Sequence, residues 1–269
     1  VGAHVGPDVE VDGVESGGLV DWRDVDVPFD HAQFLVGHVR ANAREVCDMQ
    51  NYIIPGIRAR EQEPREDMTS DLVHARLEDE QNPTLTFEEK VSCVRALLIA
   101  GNDTTAAALA NMMMILALQP GLAVRLYESI DDERLFTRFV EEVLRLQPPV
   151  HGLFRMVTRE VEIGGKVLPA GAQIMVVFAS ANDDEAAFAC PRTLDTTRTK
   201  ITNHLTFGAG IHYCIGANLS RMELKVAAQE IIRRLDHIKL AIPVEEITYL
   251  PTLASQTGER LPLTFSRRV

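Results

Sequence analysis

Residues 207–216 read Phe-Gly-Ala-Gly-Ile-His-Tyr-Cys-Ile-Gly and lead straight into a stretch where Leu224, Ala227, Ala228, Ile231 and Leu235 recur at helical spacing. Three glycines, Gly208, Gly210 and Gly216, permit a tight loop with positive φ that brings backbone amides close to a single sulfur, that of Cys214. At the start of the helix that follows, the dipole and the unpaired amides favour a thiolate and temper its electron donation. Such a cysteine is either a nucleophile or a metal ligand. A nucleophile needs a base and an oxyanion hole, and His212 would have to supply the base from within the same loop. A cysteine followed by an apolar residue and a glycine, with an aromatic residue seven positions before it, suits a large flat ligand better than a small substrate.

Working outward, residues 182–206 are irregular, polar and rich in threonine, and the tail over residues 238–267 reads as short strands. Gln173 to Ala179 reads as a buried apolar strand, and Glu160 to Val167 as a hairpin turning at Gly164-Gly165. A helix is predicted from Asp132 to Gln147, stopped by Pro148-Pro149. The longest helix starts with the capping box Thr86-Phe87-Glu88-Glu89 and runs over residues 86–119 to a stop at Pro120-Gly121, a length of about 45–50 Å. Its apolar composition predicts a helix that crosses the interior. Within it, Gly101-Asn102-Asp103-Thr104-Thr105 sets five poor helix formers in a row, each costing up to about 1 kcal/mol against alanine. Local rules broken inside a core helix point to function. Further upstream come a short helix near Asp71 to Leu77, a helical stretch from His31 to Arg60, and a glycine-rich acidic segment over residues 1–20 that suits a loop or a weak edge strand.

The expected class is mainly α with small β-sheets, an α+β fold. The 269 residues carry a net charge of −12 with 46% hydrophobic residues, which excludes a disordered tail and a nucleic-acid binder led by bulk positive charge. All of that net charge falls in residues 1–90, and the remainder balances to zero. Four cysteines, at 47, 93, 190 and 214, are too far apart for a zinc knuckle and too sparse for a disulfide scaffold, which predicts a reducing, cytoplasmic setting. No apolar run reaches the eighteen or so residues of a membrane span.

The cysteine loop resembles the haem-binding loop of the cytochrome P-450 family, the haem-thiolate monooxygenases, with Phe207, Gly208, Gly210, His212, Cys214 and Gly216 matching that family's signature. Ala100-Gly101-Asn102-Asp103-Thr104-Thr105 is similar to the oxygen-activation motif of the family's long distal helix. Small residues at Ala100 and Gly101 leave a notch, and an acid beside a hydroxyl, Asp103 and Thr104, relays protons. Glu142-Val143-Leu144-Arg145 resembles the family's Glu-x-x-Arg, and Arg198 matches the arginine that completes a buried structural cluster with it. Arg155 and His212 match the partners of the haem propionates. Val150, His151, Leu153, Phe154 and, from the C-terminal turn, Leu253 to Ser255 would line the substrate pocket.

The resemblance implies haem b as cofactor, with Cys214 as the axial ligand of its iron, Asp103 and Thr104 as catalytic residues, and dioxygen and a hydrophobic small molecule as substrates. Residues 192–239 hold 8 basic and 4 acidic side chains, a face expected to attract a small acidic ferredoxin as electron donor. The sequence also departs from the family. Asn182-Asp183-Asp184 stands where Asn-Arg-Asp is usual, and Arg198 to His204 is one residue longer than in most bacterial members. The resemblance spans residues 31–269 and leaves residues 1–30 unassigned, so roughly the first third of a complete member is not matched. With Val1 as first residue, the expectation is a truncated member of the fold, and a remnant that holds no haem alone is the rival reading. A cysteine hydrolase or thiol peroxidase lacks a convincing base and orienting acid.

Overall fold

The computed structural model describes residues 33–78, 81, 83–249, 255 and 258–268; residues 1–20, read as a loop or weak edge strand, and the rest of the unassigned segment 1–30 lie outside them. The helices are α1 (Gln33–Gln62), α2 (Met68–Val73), α3 (Phe87–Leu118), α4 (Pro120–Glu128), α5 (Glu133–Leu146), α6 (Phe178–Asn182) and α7 (Ala217–Arg234). The strands are β1 (Gly152–Met156), β2 (Val161–Ile163), β3 (Lys166–Leu168), β4 (Gln173–Val177), β5 (Leu235–Leu240) and β6 (Leu263–Arg267). They form three two-stranded antiparallel sheets, β1–β4, β2–β3 and β5–β6. The chain divides between Ala100 and Gly101, inside α3, into two compact units.

In the unit that ends at Ala100, Ile53 and Ile57 of α1, Val73 of α2 and Val91 of α3 make one apolar cluster. α2 begins three residues before the predicted start, because Asp67 caps it: its carboxylate accepts from the Ser70 amide at 2.8 Å. The Arg60 guanidinium first, and then the Ser70 amide, hold that carboxyl down to about 2. The capping box that starts α3 is present, with the Thr86 amide and hydroxyl donating to Glu89 Oε2 at 2.8 and 2.9 Å and the Glu89 amide donating to Thr86 Oγ1 at 3.2 Å.

α3 stays helical through Gly101–Thr105, so the run of poor helix formers costs stability without breaking the helix. Its burial differs from the expectation of a wholly interior helix. Leu97, Leu98 and Ile99 are 41–48% exposed, Gly101 to Asp103 are exposed, and full burial sets in at Ala107. Apolarity says what a helix would gain by burial, not what covers it. Pro120 does end α3 as predicted, but it also opens α4 as its first residue, bent by 101° from α3. Among the described residues no single helix is long and apolar enough to cross a membrane.

In the unit from Gly101 onward the main core joins Met112 and Leu116 of α3, Leu126 of α4, Phe136 and Phe139 of α5, and Ala228 and Ile232 of α7. Asp132 caps α5 by accepting from the amides of Arg134 and Leu135. The buried face of α7 is Leu224, Ala228 and Ile232; Ala227 and Ile231 are half-buried and Leu235 has already entered β5. Gln173 to Ala179 is not a buried strand. β4 ends at Val177, its Val176 and Val177 are 40% and 42% exposed, and the next five residues turn into α6. Its partner β1 was not visible in the sequence pattern. Gly152 pairs with Val177, and a Cβ there would fall 2.5 Å from the Val176 carbonyl oxygen, so only glycine lets the two strands meet.

Candidate functional site

The loop over residues 207–216 is closed by its own backbone. The Gly208 amide donates to Leu205 O and the Cys214 amide to Phe207 O, both at 2.9 Å, while Tyr213 N donates to Gly210 O across a 3-10 turn over Gly210–His212. Gly208 and Gly210 both sit at φ +71°, where any other residue would be strained. Gly216 is the N-cap of α7, and Ala217 N donates to Cys214 O at 3.2 Å. Cys214 thus lies two residues before the cap, and it is exposed.

An exposed thiol just ahead of a helix start would suit the metal of a prosthetic group as a ligand. Among the described residues no three His, Cys, Asp or Glu side chains converge to hold an ion. On either side of it Ile211 and Ile215 are 96% and 91% exposed. Covering an isoleucine is worth roughly 1.5–3 kcal/mol, so this rim favours an apolar disc laid over the thiol. A planar macrocyclic prosthetic group such as haem meets both requirements.

Two adjacent buried glutamates on α5 tie this region together. Glu142 takes Arg145 Nε at 2.6 Å and Nη2 at 3.0 Å, Arg198 Nε at 3.2 Å, and the Asp195 amide at 2.7 Å. Arg145 also donates to the carbonyls of Asn182, Pro191 and Thr193, and Arg198 to those of Ala189, Cys190 and Thr193. Glu142, Arg145 and Arg198 therefore meet, and together they fasten residues 189–198. Glu141 serves the other side. It accepts from Arg221 Nε at 2.6 Å and from His204 Nε2 at 2.8 Å. Burial pushes the Glu141 carboxyl up, but His204 and Arg221 together outweigh it and hold it below the usual range.

Glu141, His204, Asn182 and Thr206 are absent from the sequence-derived candidates. The Asn182 side chain accepts from Leu205 N at 2.7 Å and donates to Thr206 Oγ1 at 3.0 Å; Thr206 Oγ1 donates on to Leu144 O at 2.8 Å. The signal for Asn182 lies in Asn182-Asp183-Asp184, next to the reversed charge at Asp183. Asp183 makes only an exposed pair with Arg192 at 3.2 Å.

The remaining candidates fall in two groups. Ala100, Gly101, Asp103 and Thr104 lie in mid-α3, where a Cβ at Gly101 meets nothing within 4 Å and Asp103 accepts from its neighbour Asn102 at 3.2 Å. One turn on from Thr104, Ala108 is buried with Val140, Leu144 and Leu224, and Phe207 packs against that cluster, so α3 and the cysteine loop share packing. Val150, Leu153, Phe154 and Arg155 follow one another into β1. Leu153 and Phe154 are 43% and 58% exposed, and Arg155 Nη1 donates to Phe154 O at 2.8 Å. Val150 bridges Ser255, which brings the C-terminal turn to this strand, whereas Leu253 lies outside the described residues.

The basic window over residues 192–239 carries less free charge than its count. Arg198 and Arg221 are bound by the buried Glu142 and Glu141, and Lys225 by Glu133. Those acids lie outside the window in sequence and return to it in space.

Fold and site together define the haem-thiolate class of proteins. Residues 18–243 match the sequence profile described as Cytochrome P450, and the chain belongs to that family. It is 34% identical over 232 residues to the cyclomarin C epoxidase CymV of Salinispora arenicola, covering 84% of this chain and 56% of that protein. The structure of CYP109Q5 from Chondromyces apiculatus superposes with a TM-score of 0.76 at 33% identity, covering 87% of this chain and 57% of that one. CYP109E1 from Bacillus megaterium, in complex with testosterone, gives 0.77 at 30% identity over 87% and 62%. The fold is accordingly that of the cytochromes P450, and the chain spans about half the length of the curated relatives it matches.

Proposed function

We propose that this chain carries the iron-binding part of a haem-thiolate monooxygenase that inserts one atom of dioxygen into a hydrophobic small molecule. The observation that carries the reading is Cys214, an exposed thiol in a backbone-closed glycine loop at the head of α7, rimmed by Ile211 and Ile215. Cys214 Sγ would ligate the iron of haem b, with Phe207, Gly208 and Gly210 shaping the loop and Arg155 and His212 pairing with the propionates. When bound, the haem supplies the activation of dioxygen that one-atom insertion requires. Ala100 and Gly101 leave room beside it. The Asp103 carboxylate and the Thr104 hydroxyl pass protons inward from the exposed face of α3. Val150, Leu153, Phe154 and Leu253 hold the substrate and exclude water from it. A neighbour crystallised with testosterone supports an apolar substrate.

Electrons come from a separate donor of the ferredoxin class. Exposed pairs such as Arg192–Asp183 and Arg234–Glu230 are worth little in water, so these arginines stay available to an acidic partner. The sparse cysteines support a cytoplasmic setting.

The test is haem titration of the purified chain, followed by reduction and the carbon-monoxide difference spectrum. A thiolate-type Soret band is expected. Absence of haem uptake would instead favour a chain that catalyses nothing by itself. In the loaded protein with donor and substrate, Thr104→Ala should cut product formed per electron pair by about tenfold or more. Unchanged coupling would remove Thr104 from the proton path.

A further inference from the structure

We infer that Arg221, held by Glu141, is a positioning residue for Cys214: it clamps the two aromatic residues of the cysteine loop and so fixes where the thiol points. The inference rests on the reading of Cys214 as the iron ligand. Arg221 lies on the second turn of α7, seven residues past Cys214. Its guanidinium carbon sits 4.4 Å from the centroid of the Phe207 ring, and its Nη1 donates to Tyr213 Oη at 3.0 Å. Phe207 opens the loop and Tyr213 immediately precedes the cysteine. The Phe207 carbonyl accepts the Cys214 amide, so holding Phe207 holds the hydrogen bond that closes the loop.

The clamp is itself oriented. Arg221 Nε and Nη2 reach the two oxygens of Glu141 at 2.6 and 3.3 Å, a forked pair that fixes the plane of the guanidinium. Glu141 is 2% exposed and rigid within α5. Its second partner is His204, whose Nδ1 accepts the Thr206 amide at 3.3 Å, leaving Nε2–H to donate to Glu141. His204 lies three residues before Phe207, the start of the loop, so one carboxylate grips the loop's entrance through His204 and its aromatic residues through Arg221. The neighbouring Glu142 makes no such contact with the loop and holds residues 189–198 instead. Two adjacent acids thus have separate tasks. Lysine cannot replace Arg221 here, because a point charge supplies neither the planar face over Phe207 nor a second fixed donor for Tyr213.

Native-state hydrogen exchange on the whole chain tests this through the amides of Gly208, Tyr213 and Cys214. Arg221→Lys keeps the charge opposite Glu141 at a partly exposed position, so the chain should still fold. Exchange at the Cys214 amide is expected to rise about tenfold or more, while interior amides of α5 and α7 change by less than about twofold. Tyr213→Phe, which removes one hydroxyl, should give a smaller rise at the same amides. Equal rises in the loop and in both helices would make Arg221 a general stabiliser and overturn the inference, as would an unchanged loop in both variants. In the haem-loaded protein, Arg221→Lys should shift the reduced carbon-monoxide complex from thiolate-type toward thiol-type. An unchanged thiolate fraction with a loosened loop also overturns it. If the parent chain forms no thiolate complex, the ligand reading fails by that measurement alone, and hydrogen exchange still decides whether Arg221 positions the loop.

Discussion

Arg145→Met should lower the stability of the unit from Gly101 onward by about 3–5 kcal/mol, the range for removing one member of a buried ion pair. Arg145 is 1% exposed and is the hub through which α5 meets the polypeptide at Asn182, Pro191 and Thr193. Methionine fills much of the volume but leaves Glu142 buried with Arg198 as its one remaining charged partner and takes the Arg145 donor from the Asn182 and Pro191 carbonyls, each costing roughly 1–3 kcal/mol when left desolvated, while Thr193 O keeps Arg198. Since whole domains are stable by only about 5–15 kcal/mol, this one change removes a large share. The control is Arg234→Met: that side chain is 75% exposed beside Glu230, and its loss should cost less than about 0.5 kcal/mol. Urea denaturation followed by circular dichroism measures both. A cost below about 1 kcal/mol for Arg145→Met would mean that the cluster is not structural.

The parts of this molecule that could be read from its sequence are those where local chemistry decides. Thr86 and Glu89 announce a helix start because a capping box needs only four consecutive residues, and the turn at Gly164-Gly165 needs only two. The cysteine loop is legible for the same reason: Gly208 and Gly210 must take positive φ within a few residues of the thiol. What escaped depends on partners distant in sequence. β1 exists because β4 lies beside it, and nothing in Gly152-Leu153-Phe154-Arg155-Met156 alternates. Glu141 reads as an ordinary surface acid until His204, 63 residues on, and Arg221, 80 residues on, fold back to it. The basic window misleads in the same way, since a count along the chain ignores acids that return in space. The exposure of Leu97, Leu98 and Ile99 shows the converse, an apolar segment whose composition is plain and whose cover is not specified by its own residues.

Cys214→Ser should leave the fold intact and remove the chemistry. The loop is closed through the backbone of residue 214, whose amide donates to Phe207 O, and the exposed side chain contributes little packing, so stability should change by less than about 1 kcal/mol. A serine hydroxyl is not ionised near neutrality and is a hard donor, so it supplies no thiolate to iron. Losing an outer partner of a metal ligand already costs about 10- to 100-fold, and losing the thiolate ligand itself should exceed that, with product formation down at least about a hundredfold. The thiolate-type Soret band of the reduced carbon-monoxide complex should vanish while the thermal midpoint stays near the parent value. Cys190→Ser is the matched control: Cys190 is also exposed, but it sits at φ +47° in the stretch held by Arg198, with no glycine loop and no helix start behind it. It should keep the band and the activity. Retention of the thiolate band in Cys214→Ser would detach the chemistry from the loop and oblige another cysteine to carry it, and no other cysteine in this chain stands in a backbone-closed glycine loop at the head of a helix.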